Sequence, residues 1–383
     1  MLNGRRLLWI VAEDWFFRLH YLPLAEALVE AGAEVHLAAR CGRRGPESAA
    51  AVRAAGIAVH PLLRLDRTGL DPLADLRAIA ELTALCRRLA PDLVQSVAMK
   101  PVLYGTLAAE RAGVGARFAW LPGLGHVFTG DSLKARLLRP AVSLLLRRVL
   151  GPDGVVPMVL NADDRAAVVR LSGRAPETVA VLPGTGVDLD RFEVAPEPDG
   201  PLVVAFVGRM LGEKGLDDLA AAARLLRDRG TPLRIRLIGA PDRESPTAIA
   251  EARLRAWTAE GVLEWTGPTD DVAAVWRHAH LAVLPSHREG LGMSVLEAAA
   301  CGRAAVATDV PGCREAVEHG VTGLLVPARD PVALADALAA LAGDPGRRRA
   351  MASAARARVE EKFGLPAVRA RLIALYERRL ERT

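Results

Sequence analysis

Residues 284–302 read LPSHREGLGMSVLEAAACG, and their reading decides the fold class. The four residues at 281–284, LAVL, form a short apolar run ended by Pro285, as a strand buried on both faces does. A polar loop follows, holding Glu289, Gly290 and Gly292. A helix then opens near Met293 or Ser294 and carries Glu297 one turn in. Strand, loop and helix in this order are half of a βαβ unit, and a parallel sheet is the expectation.

The same rhythm extends in both directions. Towards the N-terminus the expected strands are Leu7–Ala12, Val35–Ala38, Ile57–Pro61, Leu93–Ser96, Phe118–Leu121, Val156–Leu160 and Val179–Leu182. Helical stretches such as Leu22–Ala31, Pro72–Leu89 and Ala162–Leu171 separate them. Between 183 and 201 Pro and Gly crowd together and the rhythm breaks, which reads as a linker. It restarts with strands at Val203–Val207, Arg234–Ile238, Leu263–Trp265, Leu281–Leu284, Ala304–Ala307 and Leu324–Val326. The last stretch, Pro345–Arg382, reads as helical with an interruption at 364–366. The division is therefore residues 1–185, a hinge at 186–201, a second domain at 202–363 and a terminal helix at 364–383. In such sheets ligands sit at the carboxyl ends of the strands, so a site in a cleft between two facing domains is expected.

The loop at 285–297 has the chemistry for such a ligand. Glycines let the backbone approach it, and amides at a helix start favour an anion such as a sugar diphosphate. A loop carboxylate can accept from sugar hydroxyls, and a carboxylate one helical turn in can accept from both ribose hydroxyls. After strand Val203–Val207, the segment at 208–215 (GRMLGEKG) puts Arg209 and Lys214 around a turn that opens a helix. Two cations there can neutralise a diphosphate, with the Arg able to bind it bidentately.

Glu289 and Glu297, with seven residues between them in EGLGMSVLE, match the EX7E motif. With the AAACGRAAVAT run at 298–308 and GVTGLLV at 320–326, the chain resembles the family 4 glycosyltransferases of the GT-B fold. The resemblance implies an α/β architecture of two Rossmann-like domains, the first on the acceptor side and the second binding the donor. It implies C-terminal helices returning to the N-terminal domain. Donor binding is implied for Arg209, Lys214, Glu289 and Glu297, with the sugar at Glu289 and the ribose at Glu297. The amides of Gly290, Leu291 and Gly292 are expected beside the sugar and diphosphate. The family retains anomeric configuration. The expected reaction moves a hexose or N-acetylhexosamine from a nucleotide diphosphate sugar, UDP first, with no cofactor and no metal. Asp188-Leu189-Asp190 spells a DxD, but it lies in the hinge and is read as coincidental.

Residues 13–25, 123–130 and 183–188 resemble a bacterial subgroup that extends undecaprenyl-diphosphate-linked saccharides, which implies a lipid-linked acceptor in polysaccharide assembly. His20, before the first long helix, and His126, in a Gly-flanked loop, are candidates for donor or acceptor contact. Residues 133–151 hold Lys134, Arg136, Arg139, Arg147 and Arg148, many leucines and no acid. Such a segment suits peripheral contact with an anionic membrane.

Among 383 residues, 51% are hydrophobic and 25% charged, ordinary for a soluble globular chain. The formal charge of +5 suits an anionic partner. No nucleic-acid module signature accompanies it, so nucleic acid is not an expected partner. Cys41, Cys86, Cys301 and Cys313 form neither a CxxC pair nor a zinc spacing. The N-terminal apolar run is too short for a signal peptide. The expected location is the cytoplasm, peripheral to the inner face of the plasma membrane. Three rivals stay open: a transferase acting on a small soluble acceptor such as a natural-product aglycone, a nucleotide-sugar 2-epimerase, and a non-catalytic sugar-nucleotide-binding protein.

Overall fold

The computed structural model describes residues 2–43, 45–65, 71–123, 133–242 and 245–382, and for 133–139 the backbone alone. The chain divides into two compact units. One comprises Met1–Thr185 with Leu365–Thr383, the other Gly186–Gly364.

The first unit alternates strands and helices: β1 (Arg6–Glu13), α1 (Asp14–His20), α2 (Leu22–Glu30), β2 (Glu34–Arg40), α3 (Glu47–Ala54), β3 (Ala58–Pro61), α4 (Pro72–Leu89), β4 (Leu93–Val97), α5 (Met99–Arg111), β5 (Ala116–Leu121), α6 (Leu133–Leu150), β6 (Val155–Val159), α7 (Ala162–Ser172) and β7 (Ala180–Val181). The strands pair in parallel in the order β3-β2-β1-β4-β5-β6-β7. β1 and β4 are buried on both faces, which is why they read as near-continuous apolar runs. Local rules set the helix ends. Asp71 accepts from the amides of Leu73 and Ala74, and Pro72 occupies the first turn of α4.

The second unit restarts with β8 (Leu202–Val207), α8 (Leu216–Asp228), β9 (Leu233–Ile238), α9 (Glu251–Ala259), β10 (Glu264–Gly267), α10 (Val272–Arg277), β11 (Leu281–Leu284), α11 (Met293–Ala300), β12 (Ala304–Thr308), α12 (Pro311–Ala316), β13 (Gly323–Val326), α13 (Pro331–Gly343) and α14 (Pro345–Arg358). Its parallel sheet runs β10-β9-β8-β11-β12-β13. Both sheets reverse strand order once, between β1 and β4 and between β8 and β11.

The segment read as a hinge belongs to the second unit, and arginines fasten it there. Arg303, 1% exposed, donates to the carbonyls of Ala195 (2.7 Å) and Pro196 (2.8 Å). Arg348 grips Glu197 with two bonds of 2.6 and 2.8 Å. Where the chain enters and leaves this unit, the Val187 amide donates to the Phe363 carbonyl at 2.8 Å.

One π-helical turn, Val359–Phe363, follows α14. Gly364 turns extended, and α15 (Leu365–Leu380) joins the first unit. α15 packs on the sheet face that holds Trp9, Gln95, Phe118 and Trp120. The Tyr376 hydroxyl donates to Gln95 Oε1 at 2.8 Å, both groups being wholly buried, and its ring lies 4.8 Å from that of Phe118. Tyr376→Phe strands a buried amide oxygen and is expected to cost about 1–3 kcal/mol. A lower urea midpoint for the first unit, followed by its tryptophan fluorescence, checks this.

Candidate functional site in the second unit

The reversal between β8 and β11 brings two connections side by side. The first, after β8, holds Arg209, a 3-10 turn at Gly212–Lys214, and Gly215 in the left-handed region at φ 69°. α8 opens directly after it. The second, after β11, holds Pro285 to Gly292 and leads into α11. The two touch so closely that a Cβ on Gly215 would fall far inside van der Waals contact with the Pro285 carbonyl oxygen.

Across this contact Lys214 Nζ donates to Glu289 Oε1 in an ion pair. Ser286 Oγ, fully buried, donates to the same oxygen at 2.6 Å. Glu289 Oε2 has no hydrogen bond among the described residues. Ser286 is itself held from behind, since Thr308 Oγ1 at the end of β12 donates to the Ser286 carbonyl. The His287 amide donates to the Glu213 carbonyl at 2.8 Å, and His287 Nε2 lies 2.6 Å from Asp218 Oδ2 on α8. Thus the side chain and the backbone of the loop are both tied to the β8–α8 connection.

Arg209 is more than half exposed and pairs with Asp242 at 2.8 Å, on the connection after β9. It therefore stands beside the Lys214–Glu289 pair in sequence but is engaged elsewhere. Glu297, on α11, is half-buried. Burial of its carboxyl pushes it up to about 7, while the charge of Arg191 and the indole N–H of Trp276 pull it back down.

The three expected loop amides are not alike. Gly292 donates to the Gly312 carbonyl at 3.2 Å, and Gly312 donates back to the Glu289 carbonyl at 3.2 Å. The Gly292 amide is therefore engaged within the unit, where it holds α12 against the loop. Leu291 is 7% exposed, its side chain filling the core under the loop. Asp188 Oδ1 accepts from the amides of Asp190 and Arg191 at 3.1 Å each, so the DxD is an exposed turn that caps itself.

In the first unit His20 closes α1 with its ring edge-on to Phe16 at 4.6 Å. His126 lies outside the described residues, as do the side chains of Lys134, Arg136 and Arg139. Sequence reading missed Ser286 and the His287–Asp218 pair. Ser286 had one signal, a hydroxyl three residues before Glu289, whereas Asp218 is far from His287 in sequence.

The Glycosyl transferases group 1 profile matches residues 201–344, and the Glycosyl transferase 4-like profile matches residues 6–150. The chain belongs to the family 4 glycosyltransferases. Among relatives of this glycosyltransferase is the N,N'-diacetylbacillosaminyl-diphospho-undecaprenol alpha-1,3-N-acetylgalactosaminyltransferase of Campylobacter jejuni. It is 28% identical over 291 residues, 73% of this chain and 75% of that protein. A D-inositol 3-phosphate glycosyltransferase of Thermobispora bispora is 37% identical over 257 residues, 61% of this chain and 60% of that protein. The match thus spans less than two thirds of the inositol-phosphate relative. Among solved structures, sucrose-phosphate synthase from Thermosynechococcus elongatus has a TM-score of 0.80 at 20% identity, covering 99% of this chain and 100% of that one. Anabaena HepE in complex with UDP and glucose has a TM-score of 0.77 at 18% identity, covering 98% and 100%. These likenesses show the two-domain GT-B fold.

Gly215 tests the contact beneath the site. Gly215→Ala combines a left-handed backbone with a collision at Pro285, and is expected to cost about 1–3 kcal/mol or more. Thermal unfolding of the variant should show a midpoint several degrees lower, and an unchanged midpoint would refute the contact.

Proposed function

We propose that this glycosyltransferase retains anomeric configuration and moves a hexose or N-acetylhexosamine from a UDP-sugar to a lipid-linked saccharide. The Lys214–Glu289–Ser286 cluster at the strand reversal carries the donor half of this reading. The acceptor half draws on the Campylobacter relative, whose name is that of a diphospho-undecaprenol transferase.

In this reading Lys214 and Arg209 neutralise the diphosphate as negative charge develops on it, which is electrostatic catalysis. Arg209 reaches the diphosphate by leaving Asp242, a move its exposed position permits. Glu289 Oε1 stays tied to Ser286 and Lys214, and Oε2 accepts from a donor-sugar hydroxyl. Glu297 accepts from the ribose hydroxyls. The bond from the anomeric carbon to the phosphate oxygen breaks, the acceptor oxygen bonds to that carbon on the same face, and the leaving phosphate takes the acceptor's proton. No side chain is needed as base and no metal is required.

A second reading, transfer to a small soluble acceptor, is favoured by the relatives named for D-inositol 3-phosphate. Purified chain supplied with UDP-sugars and either a detergent-solubilised lipid-diphosphate saccharide or a soluble polyol phosphate separates the two. Transfer to the soluble acceptor alone sinks the lipid-linked reading.

Glu289→Ala and Lys214→Ala are each expected to lower turnover at least about a hundredfold with the fold intact, as loss of a transition-state charge partner does. Full activity of purified Lys214→Ala would overturn the phosphate assignment. Glu297 adds a pH dependence. Its carboxyl titrates near 7, and the ionised form is the better double acceptor. Donor affinity is therefore fully present above pH 7 and falls by up to roughly tenfold per unit below it. Calorimetry with UDP-glucose, whose diphosphate does not titrate in this range, should show the slope in the native chain and lose it in Glu297→Gln.

A further inference from the structure

α4, α5 and α6 cover one face of the first unit's sheet, the face opposite α15, and bury a common apolar cluster beneath them. The outward side of this layer has an uncommon composition. On α4 the exposed residues Leu73, Leu76, Arg77, Ala80, Ala84 and Arg87 recur at helical spacing and form one stripe, with Arg88 beside it. Leu73 is 66% exposed and Leu76 59%. Beside the helix, the amides of Leu63 and Arg64 donate to Glu81 at 3.0 Å each, which sets Leu63 out in solvent at 80% exposure. On α6, Leu144 is 72% exposed next to Arg147 and Arg148.

The acids of the layer are engaged. Asp71 caps α4, Asp75 pairs with Lys100 at 3.4 Å, Glu81 holds the Leu63 loop, and Glu110 pairs with Arg148 at 3.1 Å. Arg77, Arg87, Arg88, Arg111 and Arg147 have no carboxylate partner among the described residues. A stripe of large apolar side chains flanked by uncompensated arginines matches an anionic lipid surface, where leucines enter the acyl boundary and arginines meet head-group phosphates.

We infer that the outward side of the α4–α6 layer, led by Leu63, Leu73 and Leu76 with Arg77, Arg87 and Arg88, docks this glycosyltransferase on an anionic membrane. The inference rests on the lipid-linked reading of the acceptor. It places the docking surface chiefly on α4, whereas the sequence pointed to residues 133–151.

Flotation of the full chain with phosphatidylcholine vesicles, with and without phosphatidylglycerol, tests it. The native chain should float with the anionic vesicles and be released by salt. Arg87→Glu/Arg88→Glu should lower binding by roughly tenfold or more, since each arginine facing such a surface contributes several-fold. Leu73→Asp/Leu76→Asp should lose it as well, whereas both variants keep native melting temperatures and donor turnover in detergent. Failure of the native chain to float, or variants that float as well as it does, would overturn the assignment. So would a native dimer that does not float and that Leu73→Asp/Leu76→Asp splits in sedimentation, because the leucines would then meet a second copy. The acceptor reading fails separately, through absence of transfer to the lipid-diphosphate saccharide in detergent.

Discussion

Lys214 and Glu289 meet because β8 and β11 are neighbours at the one point where the second sheet reverses its strand order. The connection after each strand leaves the same edge, and at a reversal the two connections diverge and open a crevice between them. Closing the base of that crevice takes a backbone-to-backbone approach at Gly215 and Pro285. Everything nearby serves this meeting. Thr308 holds Ser286, Ser286 holds Glu289, and His287 ties the loop to α8.

The electrostatics follow from the same geometry. A lysine and a glutamate, both largely buried, are stable there because each compensates the other and Ser286 supplies a further bond to the carboxylate. Glu297, one turn into α11, has only a more distant arginine and an indole N–H to offset its burial, so it titrates near neutrality. Two acids with seven residues between them thus sit in different surroundings, one in direct contact with a lysine and a serine hydroxyl and the other pushed up by burial.

The second unit is assembled around largely buried arginines that bond to carbonyls and to the carboxylates of Glu197 and Glu360. Arg303 and Arg348 bind the entering segment at Ala195 to Glu197, and Arg356 donates to the Phe192 carbonyl at 2.9 Å. A stretch rich in Pro and Gly offers its carbonyls outward, and guanidinium groups satisfy several at once. This is why a segment with linker composition is fixed to the unit that follows it. In the first unit α15 is secured by Tyr376 to Gln95, by Arg369 to the Pro23 carbonyl at 3.0 Å and by Arg379 to the Gly115 carbonyl at 3.1 Å, beside an aromatic layer of Trp9, Phe118 and Trp120.

The sequence by itself determined what local spacing encodes. Apolar runs of three to six residues marked nearly every strand within a residue or two, and Pro72–Leu89 was legible to both ends because its cap and first-turn proline are adjacent in the chain. Glu289, Glu297, Arg209 and Lys214 were legible as candidates, since each sits at a strand–loop–helix junction. What the tertiary structure alone decided depends on partners remote in sequence. Asp218 reaches His287, Asp242 takes Arg209, and the Gly292 amide is spent on Gly312. The exposed stripe on α4 is of the same kind. An amphipathic pattern shows which side of a helix is polar, but only the packed layer shows that its leucines stay uncovered and that its acids are engaged elsewhere.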